Sequence, residues 1–276
     1  FGYLLPWGQM SYWGAQVIVN LFAAVPFIGE DLALWIRGDY VVSEATLNRF
    51  FALHVIAVPL ALIVLVVMHI LALHEVGSSN PDGVETKKTF DPVTGHPVDG
   101  IPFHPYYSVK DTFGAAVFLA VFAAIMFFAP AMGGYFLEYN NFIPANPLQT
   151  PEHIAPVWYF TPYYSILRAV PPMFNSQFPG VAAMGAAVLL LFFLPWLDRS
   201  PVKSIRYKGM LFKGWLAAFV VTFFILGYLG TTPTTVWGQF PFDAFFLDTK
   251  DVATWVARLG TIVYFLFFLL MPWYSR

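Results

Sequence analysis

The run from Arg49 to Ser78, RFFALHVIAVPLALIVLVVMHILALHEVGS, constrains this chain more than any other stretch. About 23 mostly apolar residues follow one another there. As a helix, that length crosses a bilayer core of roughly 30 Å. His54 lies near one end, His69 near the other, and His74 just past the apolar run. His54 and His69 are 15 residues apart. At about 1.5 Å and about 100° per residue they stand roughly 22 Å apart along the axis and about 60° apart around it. One helix face therefore offers an imidazole near each membrane surface. Neutral imidazole is a metal ligand and an axial haem ligand, and two haems stacked across a membrane would need this arrangement. Polar residues in membrane helices also serve simply to hold a neighbouring helix or a water. A pair at this spacing, with no other ionisable residue between its members, points instead to a redox or proton role.

Composition places the whole chain in a membrane. Apolar residues make up 58% of it and charged residues 11%, and mean hydropathy is +0.65. The net charge of −2 and the lack of a basic block argue against nucleic acid as a partner. There are no cysteines, so disulfides, covalently attached haem and cysteine-bound clusters are excluded from these residues. Any electron transfer here uses non-covalent cofactors, and any iron–sulfur cluster belongs to a partner. Nine Trp, 14 Tyr and 30 Phe suit interfacial belts and packing against flat rings.

Five segments read as spans, at about 50–74, 112–132, 180–197, 211–230 and 253–272. The predicted fold is an all-α integral membrane protein, a helical bundle with surface helices on the outer side. Residues 1–28 are apolar but broken by Pro6, Trp7, Gly8, Gln9, Ser11, Gly14, Gln16 and Asn20, which suits either a poor span or the end of one followed by an interfacial helix. Pro59 lies in the first span, where a kink is tolerable when neighbours satisfy the freed carbonyl. The connections 75–110 and 198–213, with Arg276, hold nine of the 14 basic residues. By the positive-inside rule these connections are cytoplasmic, and 29–49, 133–179 and 231–252 are periplasmic. His54 then lies toward the outside, His69 and His74 toward the inside. Segment 133–179 is long, apolar and Pro-rich, which predicts short helices folded back beside residues 1–48 to wall an apolar pocket. The chain starts inside an apolar element without Met, and is expected to be a piece of a longer protein.

Several motifs in order, GYLLPWGQMSYWGA, LNRFFALH…MHILALHEVGSSNP, PFHPYYSVKD, NPLQTPEHIAPVWYF and ILRAVP, resemble cytochrome b. That family is the haem-bearing core subunit of respiratory ubiquinol–cytochrome c oxidoreductase, and the likeness is to its bacterial form. It extends over essentially the whole chain, from the end of the family's third span to about the end of its eighth. Residues 1–7 then resemble the tail of the third span, and 8–48 a surface hairpin over the outer quinol site. The family's first two spans, with two further haem-ligating histidines, have no counterpart in this sequence.

The resemblance implies two non-covalent b haems, with His54 on the outer iron and His69 on the inner. It implies that Gly2 packs against a haem. The inner quinone site maps onto His74, Ser78, Phe103, Lys110 and Asp111. His74 and Asp111 can each donate one of the two protons that quinone reduction needs, and Asp111 is expected to open the second span. The outer quinol site maps onto Tyr3, Met10, Gly14, Ile18, Pro156, Val157, Trp158, Tyr159 and Tyr164. Here the sequence departs from the family's usual Pro-Glu-Trp-Tyr, because Val157 cannot accept a proton. Glu152 and His153 are candidate proton-exit groups, about one turn before Val157 if that segment is helical. The His54–His69 separation also differs by one residue from the mitochondrial type and looks like that of plastoquinol-oxidising relatives.

These residues together predict a redox subunit that oxidises ubiquinol outside and reduces quinone inside, coupling electron transfer to proton translocation. Expected partners are a Rieske iron–sulfur protein and a membrane-anchored c-type cytochrome, in a homodimeric complex of the bacterial inner membrane. Residues 1–179 would carry the haem and quinone sites, and 180–276 a three-span region. Two rivals are a bis-haem anchor of another quinone-linked dehydrogenase and a His-lined transporter. The first would not need the long aromatic outer loop. The second would show no haem absorption.

Overall fold

A computed structural model describes residues 1–78, 80–173, 175–241 and 248–276. Residues 79, 174 and 242–247, within the three loops expected at 75–110, 133–179 and 231–252, lie outside the described residues. The described part is all helical, with isolated bridges but no strands. In chain order its helices are α1 (Gln9–Ala23), α2 (Gly29–Arg37), α3 (Glu44–Val76), α4 (Tyr106–Phe128), α5 (Thr161–Ala169), α6 (Phe178–Leu197), α7 (Met210–Thr231), α8 (Val252–Leu269) and the short α9 (Met271–Tyr274). Five of them, α3, α4, α6, α7 and α8, are long and apolar enough to cross a membrane.

The ends of the spans follow local chemistry. Ser43 starts α3: its Oγ accepts from Ala45 N–H at 3.3 Å, and Thr46 Oγ1 accepts from Ser43 N–H at 3.2 Å. The helix ends at Gly77, whose φ of 78° suits a residue without Cβ and whose N–H donates to Leu73 O at 2.8 Å. At 33 residues α3 is longer than the expected 50–74. It reaches about 50 Å, so its polar first turns stand clear of the hydrocarbon. Inside it, Leu53–Ala57 form a π turn just before Pro59. The second span runs from Tyr106 to Phe128 instead of 112 to 132. It stops because Pro130 drives Ala129 out of the helical region, to φ −148° and ψ 53°. Its start six residues earlier makes Asp111 the sixth helical residue and not the first.

Contacts divide the chain into two compact units. The first comprises 1–52, 140–201 and 209–276. Its larger core joins α5, α6, α7, α8 and α9 around buried Ile166, Ala187, Leu226, Tyr264, Phe268 and Tyr274. Phe219 and Phe267 stack there at 4.4 Å, and Tyr264 donates to Ala187 O at 2.9 Å. Helices in lipid gain little from apolar contact alone, so close approach at small residues matters. Gly180 faces the Leu167 backbone and Gly230 the Thr161 backbone, which seats α5 tightly among its neighbours.

A second cluster in this unit holds Leu4, Tyr12, Ala15 and Val42, with Trp7, Leu47 and Phe50 against it. The segment 141–149 lies along the start of α1, as expected for the outer connection. Gln9 N–H donates to Ile143 O at 2.8 Å, Ala145 N–H to Trp7 O at 3.0 Å, and Ser11 N–H to Asn141 Oδ1 at 2.8 Å. Gly8 is required at this junction, since a Cβ there would collide with the Asn141 carbonyl.

The second unit comprises 53–139 and 202–208. Its helical parts, the rest of α3 and all of α4, are apolar all round and bury none of that surface. Such helices suit lipid or further membrane partners. The loop 75–110 is tied to 203–207. Tyr207 Oη and Arg206 Nη1 both reach Asp82 Oδ1 at 2.7 Å, Ser204 Oγ donates to Pro81 O at 2.6 Å, and Lys203 pairs with Glu85.

Candidate functional site

The first candidate group lies on α3. His54 sits inside the π turn and His69 in the regular helix, and both side chains are exposed. Neither imidazole makes a hydrogen bond or ion pair among the described residues, and their flanks are apolar. No group of three or more His, Asp or Glu converges among those residues. Gly2 lies in the one-turn helix Gly2–Leu4, half-buried.

The residues expected at the inner quinone site divide into two sets. His74 and Ser78 are held through their carbonyls, by Lys87 Nζ and by Thr86 Oγ1 at 3.3 Å. Phe103 stacks on Tyr107 at 6.0 Å, and Lys110 Nζ lies 5.6 Å from the same ring. Tyr107, which the sequence reading did not single out, thus stands between Phe103 and Lys110. Its signal was present, since i,i+4 and i,i+3 spacings place it between Phe103 and Lys110. Asp111 is exposed, and no hydrogen bond joins it to His74 among the described residues. The Asp82 carboxyl beside this loop is held below its ordinary range, chiefly by the Tyr207 hydrogen bond and then by Arg206.

The outer residues lie in the first unit. Tyr3 and Gly14 come together: the Tyr3 ring is 3.7 Å from where a Gly14 Cβ would stand. Met10, Gly14 and Ile18 follow at four-residue spacing on α1, but Met10 is fully buried and Ile18 is 46% exposed. Trp158 and Tyr159 form a single helical turn with Phe160 just before α5, both exposed, with rings edge to face at 5.6 Å. Pro156 and Val157 are half-buried. Tyr164 lies on α5 under the Arg168 guanidinium, 5.4 Å from its ring, and Arg168 also donates to Thr232 O at 3.1 Å. α5 is the anchor for this set: Thr161, Pro162, Ser165, Ile166 and Leu167 are all buried.

One geometric condition fails. Residues 150–157 contain no helix, so Glu152 and His153 do not stand one helical turn from Val157. Both are exposed, and irregular backbone of that length spans up to about 3.3 Å per residue. An open cavity of about 670 Å³ lies elsewhere in this unit. Val17, Asn20, Leu21, Phe27, Glu30 and Asp31 line it together with 175–177, and none of the nine expected quinol-site residues does.

The fold and these residues define an all-α integral membrane protein with histidines exposed along one span. Two protein-family models match. "Cytochrome b(N-terminal)/b6/petB" covers residues 1–135, and "Cytochrome b(C-terminal)/b6/petD" covers 144–265. Cytochrome b of Allochromatium vinosum is 60% identical over all of this chain and 63% of its own length. Cytochrome b of Rhodospirillum rubrum is 45% identical over all of this chain and 61% of its own. A chain of a structure titled "Hyperthermophilic respiratory Complex III" superposes with a TM-score of 0.80 at 38% identity, covering 99% of this chain and 65% of that one. The chain belongs to the cytochrome b family. It spans less than two thirds of the length of these relatives.

Proposed function

We propose that this chain is part of the haem-bearing, quinone-binding subunit of a bacterial quinol–cytochrome c oxidoreductase. The observation that carries the reading is the pair His54 and His69. They are open imidazoles on one apolar span, in a chain of the cytochrome b family over its whole length. Two b haems, each taking a second imidazole from another span, would supply one-electron transfer across the membrane. Gly2 offers a surface without a side chain where a flat ring could approach.

This chain's own residues would do the rest. Tyr3, Gly14 and Ile18 would flank ubiquinol on the outer side, with Pro156, Val157, Trp158, Tyr159 and Tyr164 hung from the buried α5. Met10 would support that wall from inside the hairpin. Two protons must leave an apolar pocket, where an uncompensated charge is costly. Glu152 and His153, exposed to water, would carry one outward. On the cytoplasmic side His74 and Asp111 would each give a proton to quinone. Ser78 and Lys110 would bind its oxygens, and Phe103, stacked on Tyr107, would pack against its ring.

Loops 75–110 and 198–213 would be cytoplasmic and 29–49, 133–179 and 231–252 periplasmic, in the inner membrane. Residues 1–179 would carry the redox sites and 180–276 the remaining three spans. A Rieske protein would take one electron and pass it to a membrane-anchored c-type cytochrome, in a homodimeric complex. A redox difference spectrum of the purified complex tests this. Quinol should reduce b-type haem, and an outer-site inhibitor should block that reduction. Absence of a haem band would reject the reading in favour of transport.

A further inference from the structure

The π turn at Leu53–Ala57 surrounds His54 and changes what the 15-residue spacing to His69 means. A π turn closes with i→i+5 pairing, so it takes up one residue more than an α turn. His54 stands near the start of the π turn, so most of the surplus lies between it and His69, and the helix there turns nearly as about 14 α-helical residues would and is shorter by up to about 1.5 Å. Fourteen residues are two heptads. In a left-handed bundle with 3.5 residues per turn, positions two heptads apart face the same neighbour. Fifteen regular residues, about 60° apart around a straight helix, would stand about 100° apart in that supercoiled frame. Pro59 suits the irregularity, because it has no N–H for the Val55 carbonyl and its ring would press on that group in a regular helix.

We infer that the π turn is a register device: it absorbs one surplus residue so that His54 faces the same groove of the bundle as His69. The inference rests on both histidines being axial haem ligands. Its residues act through His54, as positioning residues, and are not themselves ligands.

The test is made in the whole purified complex, by haem content, low-temperature absorption bands and the electron paramagnetic resonance signature of each low-spin haem. Deleting Val58, with Pro59→Ala in both deletion variants so that no ring opposes a regular helix, removes the surplus residue. Both haems should remain with unchanged signatures, because a regular helix now sets the same direction. Deleting Val58 and inserting Ala after Leu65 restores the count of 15 without the π turn. Haem content should then halve by loss of the outer haem, the inner haem reporting that the bundle assembled. The opposite pattern, outer haem lost on deletion and regained on insertion, overturns the inference. His54→Leu separates it from the ligand reading: if both haems persist there, the ligand assignment fails, whatever the register. Should neither deletion variant assemble, electron cryomicroscopy of the unaltered complex decides. Pairing of i→i+5 through Leu53–Ala57 with both imidazoles on iron upholds the inference, and uninterrupted i→i+4 pairing overturns it.

Discussion

Gly230 of α7 lies directly against the main-chain carbonyl of Thr161, so that even a methyl group on Gly230 would collide with it. Thr161 begins α5 and follows the Trp158–Phe160 turn. The contact therefore fixes the height at which the exposed Trp158 and Tyr159 are presented. Gly230→Ala should push α5 outward and cost roughly 1–3 kcal/mol, the usual range for overpacking. The expected readouts are a lower midpoint of thermal inactivation and slower quinol oxidation. Gly227→Ala is the control. Its nearest neighbour is Pro162 Cγ at 3.6 Å, an ordinary contact, and it should change neither. Equal effects of the two substitutions would refute the backbone argument.

The two histidines should fail differently. His69→Leu is expected to remove the inner haem and leave quinol able to reduce the outer one. His54→Leu should be more severe, because the outer haem would receive the electron first. Low-temperature spectra of the two variants distinguish these outcomes, and both haems intact in either variant would sink the assignment.

Asp111 lies in the second turn of α4, where the helix dipole contributes little, since its effect falls off within the first turn. Asp111→Asn should then barely alter stability. It should slow reoxidation of the inner haem by quinone while quinol-driven reduction of the haems stays close to normal. Stopped-flow traces with and without an inner-site inhibitor check this. If the slowed step is quinol oxidation, the inner mapping is wrong.

In the irregular segment leading to Val157, Glu152 and His153 are exposed and have access to water in place of helical proximity. The double change Glu152→Gln, His153→Gln should lower the quinol oxidation rate several-fold and shift its pH profile, within the range typical of a lost proton-transfer group. Adding Val157→Glu should recover part of the rate. An unchanged rate and profile in the double variant would remove these residues from the route.

Asp82 ties the loop 75–110 to Tyr207 and Arg206. Its folded-state pKa lies below the usual value, first because of the Tyr207 hydrogen bond. Stability from this group is therefore present above the unfolded carboxylate range and is lost as pH falls through the depressed value. The Tyr207 phenol is raised, chiefly by the same bond, so its contribution holds below about pH 10 and fades as pH rises through the raised value. Hydrogen exchange of 80–88 and 203–208 should be slow across the window between the two. It should quicken at both ends, or at any pH in Asp82→Asn. Exchange in that variant indistinguishable from the parent would show that the tie is not formed.

The sequence alone determined the membrane class, the five spans and the candidate histidines. Length, apolarity and charge asymmetry act locally, and in lipid a backbone of that composition must pair within its own helix. The motifs also carried the family, which the comparisons uphold. Tertiary structure decided what spacing could not. Pro130 and the early start at Tyr106 moved the second span and took Asp111 out of the first turn. The π turn changed the angle implied by the 15-residue separation of the histidines, because periodicity counts residues and a change of hydrogen-bond pattern does not appear in the count. The missing helix at 150–157 cancelled the expected closeness of Glu152 and His153 to Val157. The seating of α5 on Gly180 and Gly230, and the tie from Asp82 to Tyr207, join residues far apart in the chain. Such contacts depend on which backbones approach closely enough to touch, and that is settled only when the helices pack.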